Sequence, residues 1–441
     1  MKKTIVVILG LLGMGNSLYA QELLSKEKAV ALTLENNYDI RITKNNVATA
    51  KNNKSIYNSG YLPTVTGDAG ANYSNNDSDL EFQDGTVNSV TGAESKSYNA
   101  SVGLNYILFN GFNRQNTFKR LKESYNLTEL QARQVMENTL ITLFIAYYEV
   151  GRLTENEITQ KQALEISKQR LQRAEYGFDY GQRTKLDVLN AKVDVNNDSI
   201  TYIDIQRQLK NAKRDLNVVL GRQVNTPVVV DTNVLYNEDL VLNTIVTEAN
   251  RSNASLLQSQ KNIELSKLDV KINRSGWMPN VSLTSSYAWN RSNSDATNAF
   301  SPISNTRTGL NAGVNLSWNL FDGGRTKTSV TNAKITLETQ QIRKEQLQEQ
   351  LSRDVNNAWE TYQNSLFSLK VQEQNITTNT LNFERSNERY KLGQISSIDF
   401  RQAQINLINA KLNRNNAKYV AKNAELRLLQ LAGSLLDNTN F

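Results

Sequence analysis

Two aspartates stand in matching places, Asp187 six residues after Gly181 and Asp399 six residues after Gly393. A carboxylate just past a glycine turn can accept hydrogen bonds from the free backbone N–H groups at a helix start, and its charge suits that end of the helix dipole. Other acid chemistry needs more company. Hydrolysis by carboxylates alone requires two acids facing each other across a deep pocket at a suitable separation, and no such pair suggests itself here. The chain has no histidine, which removes a Ser-His-Asp triad and imidazole metal ligands. It has no cysteine, which removes thiolate metal sites, disulfides and a lipid-bearing N-terminal cysteine. The expectation is a protein that is not an enzyme and carries no metal or other cofactor.

The elements that hold the glycine turns are long. Residues 113–178 and 325–390 contain no proline, and a stripe such as Leu351, Val355, Ala358, Tyr362, Leu366 and Leu369 steps by three or four. At 1.5 Å per residue, a helix of about 65 residues reaches roughly 100 Å. After each glycine a return helix of about 38 residues is expected, closing at Gly221 or Gly433, where glycine accepts a left-handed conformation. Another helical stretch precedes each return to extended chain, with Ser25 as its cap in the first case. Two such short helices end to end match one long one. A solid coiled-coil stalk has the same periodicity and stays open on this pattern alone.

The chain states this arrangement twice. Ser59-Gly60-Tyr61-Leu62-Pro63 returns as Ser275-Gly276-Trp277-Met278-Pro279, and Leu108-Phe109-Asn110-Gly111 returns as Leu320-Phe321-Asp322-Gly323. From there an offset of 212 holds without a gap through Gly181 and Gly393, Asp187 and Asp399, and Gly221 and Gly433. Proline pushes the residue before it out of helical geometry, so Pro63 and Pro279 are expected where a helix gives way to a strand. The chain beyond each proline alternates with period two. Val65, Ala69, Ala71 and Tyr73 are apolar at odd positions, as are Val281, Leu283, Tyr287 and Trp289. The returning strands carry Tyr98, Ala100, Val102, Leu104, Tyr106 and Leu108, then Leu310, Ala312, Val314, Leu316, Trp318 and Leu320, at even ones. Four strands of this kind are long enough to cross a bilayer when tilted. A half-buried soluble sheet alternates in the same way. Aromatic residues favour the membrane: Tyr61, Trp277, Phe109, Phe112 and Phe321 gather at one level, Tyr73 and Trp289 toward the other, as an interfacial girdle would. The connections at residues 75–96 and 292–308 are polar loops by composition.

Composition sets the compartment. The 441 residues are 39% hydrophobic with a net charge of +7 and a mean hydropathy of −0.52, too polar for a helical membrane protein. Residues 1–20 have two lysines, an apolar run and a closing Ala20, the layout of a secretory signal peptide. Its loss leaves a charge of about +5, too weak and too spread for nucleic-acid binding. The expected organisation is a signal peptide at 1–20, a first repeat at 21–221, a linker at 222–239 containing a short strand at Val228-Val229-Val230, and a second repeat at 240–441 with a short tail.

Four strands cannot close on themselves, and an open sheet in lipid leaves unpaired backbone groups costing several kcal/mol each. The barrel must be shared between chains. The duplicated order of helix, Gly60-Tyr61-Leu62-Pro63, strand pair, Leu108-Phe109-Asn110-Gly111, long helix, glycine turn and return helix resembles the outer membrane efflux proteins, the TolC-like family, over essentially the whole mature chain. Tyr180-Gly181-Gln182 with Leu186-Asp187-Val188-Leu189, and Arg389-Tyr390-Lys391-Leu392-Gly393-Gln394-Ile395 with Asp399-Phe400, carry the resemblance most specifically. It implies a mixed α+β outer membrane protein in a Gram-negative envelope. Three chains would form a homotrimer, pooling four transmembrane strands each into one twelve-stranded barrel above a helical coiled-coil tunnel in the periplasm. The duct would be passive and export cargo delivered by a periplasmic adaptor and an inner-membrane pump. Gly181, Gln182, Gly393 and Gln394 would lie at the adaptor-contacting tips. Tyr390 and Asp187 fall at the family's gate tyrosine and aspartate, while Ile395 replaces the gate arginine, for which Arg183 at the matching place of the other half is a substitute. Asp399 keeps one constriction aspartate and Gln402 replaces the other. A trimeric surface adhesin shares strands and coiled coil but needs a large external head, and the longest loop here is only about 22 residues.

Overall fold

The computed structural model describes residues 23–237, 239–295 and 302–436; the signal peptide expected at 1–20 lies outside them. In chain order the elements are strand β1 (Leu23–Leu24), helices α1 (Lys26–Asn36) and α2 (Tyr38–Asn53), strands β2 (Thr64–Glu81) and β3 (Val87–Asn110), helices α3 (Asn113–Asp179) and α4 (Lys185–Val219), strand β4 (Val229–Val230), helices α5 (Leu242–Ser252) and α6 (Ala254–Arg274), strands β5 (Asn280–Ser294) and β6 (Ser304–Ser317), and helices α7 (Arg325–Lys391) and α8 (Ser397–Ala432). The two long helices have 67 residues each, and the return helices have 35 and 36.

Contacts divide the chain into two units, each taking segments from both sequence repeats. One comprises the described residues within Met1–Ile42, Val135–Asn253 and Leu351–Phe441; the other comprises Thr43–Gln134 and Ala254–Gln350.

The second unit holds an antiparallel sheet in the order β2-β3-β5-β6. Pro63 and Pro279 stand immediately before β2 and β5, as the restriction on the preceding residue requires. The register pairs Val65 with Leu104, Val102 with Tyr287, and Tyr287 with Leu310. Odd positions of β2 and β5 and even positions of β3 and β6 therefore share one face, the apolar one read from alternation. That face is open: Val65, Tyr287, Leu310 and Val314 are all exposed. The strands run further than expected. Residues 75–96 read as a loop, but β2 continues to Glu81 and β3 begins at Val87, with a register shift between Asn76 and Ser78. Ladder bonds use backbone groups, so pairing continues where side chains have become polar. Likewise Ser292 and Asn293 pair with Asn305 and Ser304, Ser294 pairs with Ser95, and Thr306 and Arg307 pair with Arg291 and Asn290.

The first unit holds the core, in which Phe144, Tyr147 and Tyr148 of α3 meet Leu216 and Leu220 of the α4 end and Leu426 and Leu429 of α8. β4 forms where Val229-Val230 was read as extended, and pairs in parallel with β1. Tyr147 fastens this pair: its hydroxyl donates to the Leu24 carbonyl (2.7 Å) and accepts from the Asp231 N–H (3.0 Å). Burial pushes the phenol up to about 12, so it stays a donor.

The stretch before each proline is not one helix. It breaks at Asn37 and Asn253, whose ψ angles are 134° and 123°. Asn37 ends α1 and receives the N–H of Asp39 on its side-chain oxygen, while its amide donates to Val219 O. Asn253 donates to Leu431 O. Each asparagine keeps its own N–H bond to the preceding turn, Asn37 to Thr33 O and Asn253 to Ala249 O, and adds a side-chain bond to the end of a return helix, an outcome that helix periodicity does not reveal. Ser25 caps α1 as expected, accepting from Lys28 N–H.

Candidate functional site

The glycine turns lie in the first unit, between α3 and α4 and between α7 and α8. Gly181 and Gly393 have φ of +74° and +73°, a region that costs other residues about 1–2 kcal/mol. Each turn closes its helix the same way, Gln182 N–H bonding Gly177 O (2.7 Å) and Gln394 N–H bonding Arg389 O (2.8 Å). The next helix begins at once with a capping box. Thr184 Oγ1 accepts from Asp187 N–H, and Asp187 Oδ2 accepts from Thr184 N–H (3.0 Å) and hydroxyl (2.8 Å). Ser396 and Asp399 repeat this arrangement at 3.1, 3.2 and 2.7 Å. Both aspartates therefore work as caps within one chain. The Thr184 backbone bond and then its hydroxyl hold the Asp187 carboxyl below its ordinary range.

Tyr390, in the last turn of α7, is buried at 4% exposure. Its ring stacks on Phe400 of α8 at 4.8 Å between centroids, and Phe383 lies 5.6 Å from Phe400. Two cations approach the Tyr390 ring: Arg183 from the first turn at 5.5 Å and Arg173 from α3 at 5.8 Å. The chain thus brings Tyr390 and Arg183 together, while Asp187 and Asp399 bond to their own caps. Gln402 donates to Asn406 of its own helix (2.8 Å).

Beside this cluster sits a buried charge network that sequence reasoning missed. Arg401 of α8 meets Asp198 of α4 through both terminal nitrogens at 2.8 Å. Arg170 of α3 bonds Asp194, Ser167 donates to Asp198 at 2.5 Å, and Gln404 donates to Ala163 O and Ser167. The residues 212 positions after Asp194 and Asp198 are Asn406 and Ala410, so reading by repeat gives no sign of it. The only sequence signal is the i, i+4 spacing of two acids on one helix.

In the second unit, Phe109 and Phe112 meet edge to face at 5.4 Å, and Tyr61 meets Phe118 at 5.9 Å. Arg114 lies 5.2 Å from the Tyr61 ring, and Trp318 donates its indole N–H to Trp277 O. Phe321, Trp277 and Tyr73 are exposed, and Trp289 is exposed at 38%. The register places Phe109 opposite Val281 and Tyr73 opposite Lys96, toward opposite ends of the sheet. Among the described residues no helix is long and apolar enough to cross a membrane, and no group of acidic residues could hold a metal ion.

A family model described as outer membrane efflux protein matches residues 29–222 and 245–434. The chain is similar to the outer membrane efflux protein BepC of Brucella suis, 21% identical over 425 residues that cover 96% of this chain and 88% of the relative. It is also similar to the outer membrane protein TolC of Vibrio cholerae, 23% identical over 71% of this chain and 73% of the relative. Among solved structures, the Campylobacter jejuni CmeC outer membrane channel superposes with a TM-score of 0.76 at 18% identity, covering 93% of this chain and 86% of that one. At that identity the superposition speaks for the fold.

Proposed function

The chain belongs to the outer membrane efflux protein family, and from that premise we propose that three copies form a passive duct which receives cargo from a periplasmic adaptor and an inner-membrane pump. It is an outer membrane efflux channel protein. The observation that carries the trimeric reading is the four-stranded sheet, whose outer strands β2 and β6 each have one strand partner among the described residues and whose apolar face is exposed. In hydrocarbon such edges leave backbone groups without partners. Pooling four strands from each of three chains joins β6 of one to β2 of the next and closes a twelve-stranded barrel.

In this reading residues 1–20 are removed on export, 21–221 and 240–441 are the two repeats, and 222–239 link them. Tyr61, Phe109, Phe112, Trp277 and Phe321 sit at one membrane interface, Tyr73 and Trp289 at the other. The turns at Gly181, Gln182, Gly393 and Gln394 form the tips that meet the adaptor, where exposed backbone allows close approach. Tyr390, Asp187, Asp399, Arg183 and Gln402 surround the periplasmic entrance. Arg183 beside Tyr390 supports a clasp built from a cation and a ring in place of a salt bridge to position 395. With one aspartate and one glutamine per chain at the constriction, three carboxylates face the axis, and selectivity follows from that ring and from width. No catalytic step is required.

Native mass spectrometry of the mature protein in mild detergent tests the assembly. The expected mass is that of three chains, with a hollow axis by electron microscopy; a solitary chain or a sealed rod overturns the reading.

A further inference from the structure

A small cavity of about 60 Å³ opens between α3 and α7 beside the Tyr390 and Phe400 rings. Its polar lining is Arg170, Gln169 and Arg173 from α3 and Asn387 and Lys391 from α7. That lining offers three cations and two side-chain amides, and no acid. Arg170 is the buried member, 3% exposed, and its Nε makes no hydrogen bond. Its other bond goes to Asp194, which does not line the cavity. Neither Arg173 nor Lys391 has an acidic partner among the described residues; Arg173 faces the Tyr390 ring.

Charge counting extends the imbalance. Arg170 and Arg401 are matched by Asp194 and Asp198, and Arg183 feels the Asp187 carboxylate, which leaves Arg173 and Lys391 as surplus positive charge at the cavity. Burial, and after it the Arg401 charge, push Arg170 down to about 10. A negative group near its Nε would oppose both effects. Size limits what that group can be. A cavity for a drug-sized molecule occupies about 300–1,000 Å³, whereas water takes about 30 Å³, so this space admits a group of three to five heavy atoms and no exported cargo.

We infer that this cavity is an anion site that takes one small oxyanion, a carboxylate or a phosphate, between the buried Arg170 and the rim residues Arg173 and Lys391. Guanidinium groups present planar forks that match such oxygens, and charge-assisted bonds in a partly desolvated pocket are the strong kind. Because Arg170 and Arg173 belong to α3 and Lys391 and Asn387 to α7, the bound anion ties the ends of the two long helices together next to Tyr390. This goes beyond the duct reading and needs only the helices of one chain.

The test is thermal unfolding of the full mature protein in detergent, at fixed ionic strength, titrated separately with sodium phosphate, sodium acetate and sodium chloride. Binding to the folded state alone raises Tm with concentration. Phosphate or acetate is expected to raise Tm above the chloride control, and whichever acts names the class of oxyanion. Arg173→Gln and Lys391→Gln alter exposed residues and keep the Arg170–Asp194 pair; each is expected to weaken the apparent affinity about tenfold, the effect of losing one charge-assisted bond, and Lys391→Arg is expected to restore it. Equal shifts in wild type and both glutamine variants overturn the inference, as does a wild type that responds to chloride as strongly as to either oxyanion. Crystals grown in phosphate and in acetate that both show water alone in the cavity overturn it as well. A shift in a protein that proves not to be trimeric sinks the duct reading and leaves this one standing.

Discussion

The guanidinium carbon of Arg183 stands 5.5 Å from the ring centroid of Tyr390. Arg183 follows the glycine turn of the first helical hairpin and Tyr390 precedes that of the second, so the contact links the two hairpins within one chain. Phe400 backs the ring from the opposite hairpin arm at 4.8 Å. A cation over an aromatic face contributes about 0.5–2 kcal/mol depending on desolvation. In the proposed duct that is enough to bias a two-state entrance without making its opening prohibitive.

Removing the ring and the cap together is expected to open the entrance. Tyr390→Ala combined with Asp187→Ala should raise basal conductance in planar bilayers, since it deletes both the stacked ring and the carboxylate that anchors the start of α4. Arg183→Ala alone should raise it less, by a factor of about five for each kcal/mol lost. Unchanged conductance in the double variant would remove these residues from the gate.

The proposed docking role of Gly393 can be tested apart from barrel insertion. Its φ is +73°, and a Cβ there would meet no atom within 4 Å. A bulky residue, Gly393→Val, therefore strains the turn and fills the tip surface but touches nothing in the sheet. Pump-coupled export should fall while barrel insertion persists. Gly393→Asn is the control, because asparagine tolerates left-handed backbone, and it should fold with less strain. Export intact in the valine variant would place the docking surface elsewhere.

The parts of this fold legible in the sequence are those set by local restrictions. Pro63 and Pro279 mark the starts of β2 and β5 because proline constrains its predecessor, although α2 and α6 end earlier, at Asn53 and Arg274, and the long helices declare themselves by the absence of breakers. The apolar face survives into the register because its period is two. The features that could not be read depend on partners far along the chain. Asn37 breaks a helix because its side chain reaches Val219 O, 182 positions away. Arg401 finds Asp198 across 203 positions, and no repeat of that pair exists to flag it. At the candidate site, Asp187 and Asp399 were visible as caps, whereas Phe400 under Tyr390 was not, since an aromatic at that helix position reads as ordinary core.

The Asp187 cap gives a pH dependence. Its folded carboxyl lies below the ordinary value of 3.8 because the Thr184 backbone and hydroxyl bonds favour the charged form. A lowered folded value means the stabilisation is present above 3.8 and is lost as pH falls through the folded value. Hydrogen exchange at the first turn of α4 should therefore accelerate only under strongly acidic conditions. Thr184→Ala should produce the same local opening at neutral pH, costing about 1 kcal/mol. Equal protection at neutral pH in variant and wild type would show that the cap contributes nothing to the tip.

Gly433 and Gly393 have nearly the same backbone, with φ of +72° and +73°, but different surroundings. A Cβ on Gly433 would lie 2.5 Å from Ser252 O and 2.6 Å from its carbonyl carbon, backbone atoms at the end of α5. The same collision, with Asn36 at the end of α1, awaits a Cβ on Gly221. An alanine at 393 thus carries only the left-handed strain, about 1–2 kcal/mol. At 433 or 221 it carries that strain and also forces apart the return helix and the helix break it seals. Gly433→Ala and Gly221→Ala are therefore expected to lower the unfolding midpoint clearly more than Gly393→Ala, read by circular dichroism on the purified protein. Equal shifts at all three positions would mean that strain alone matters and that the close approach at the helix breaks yields without cost.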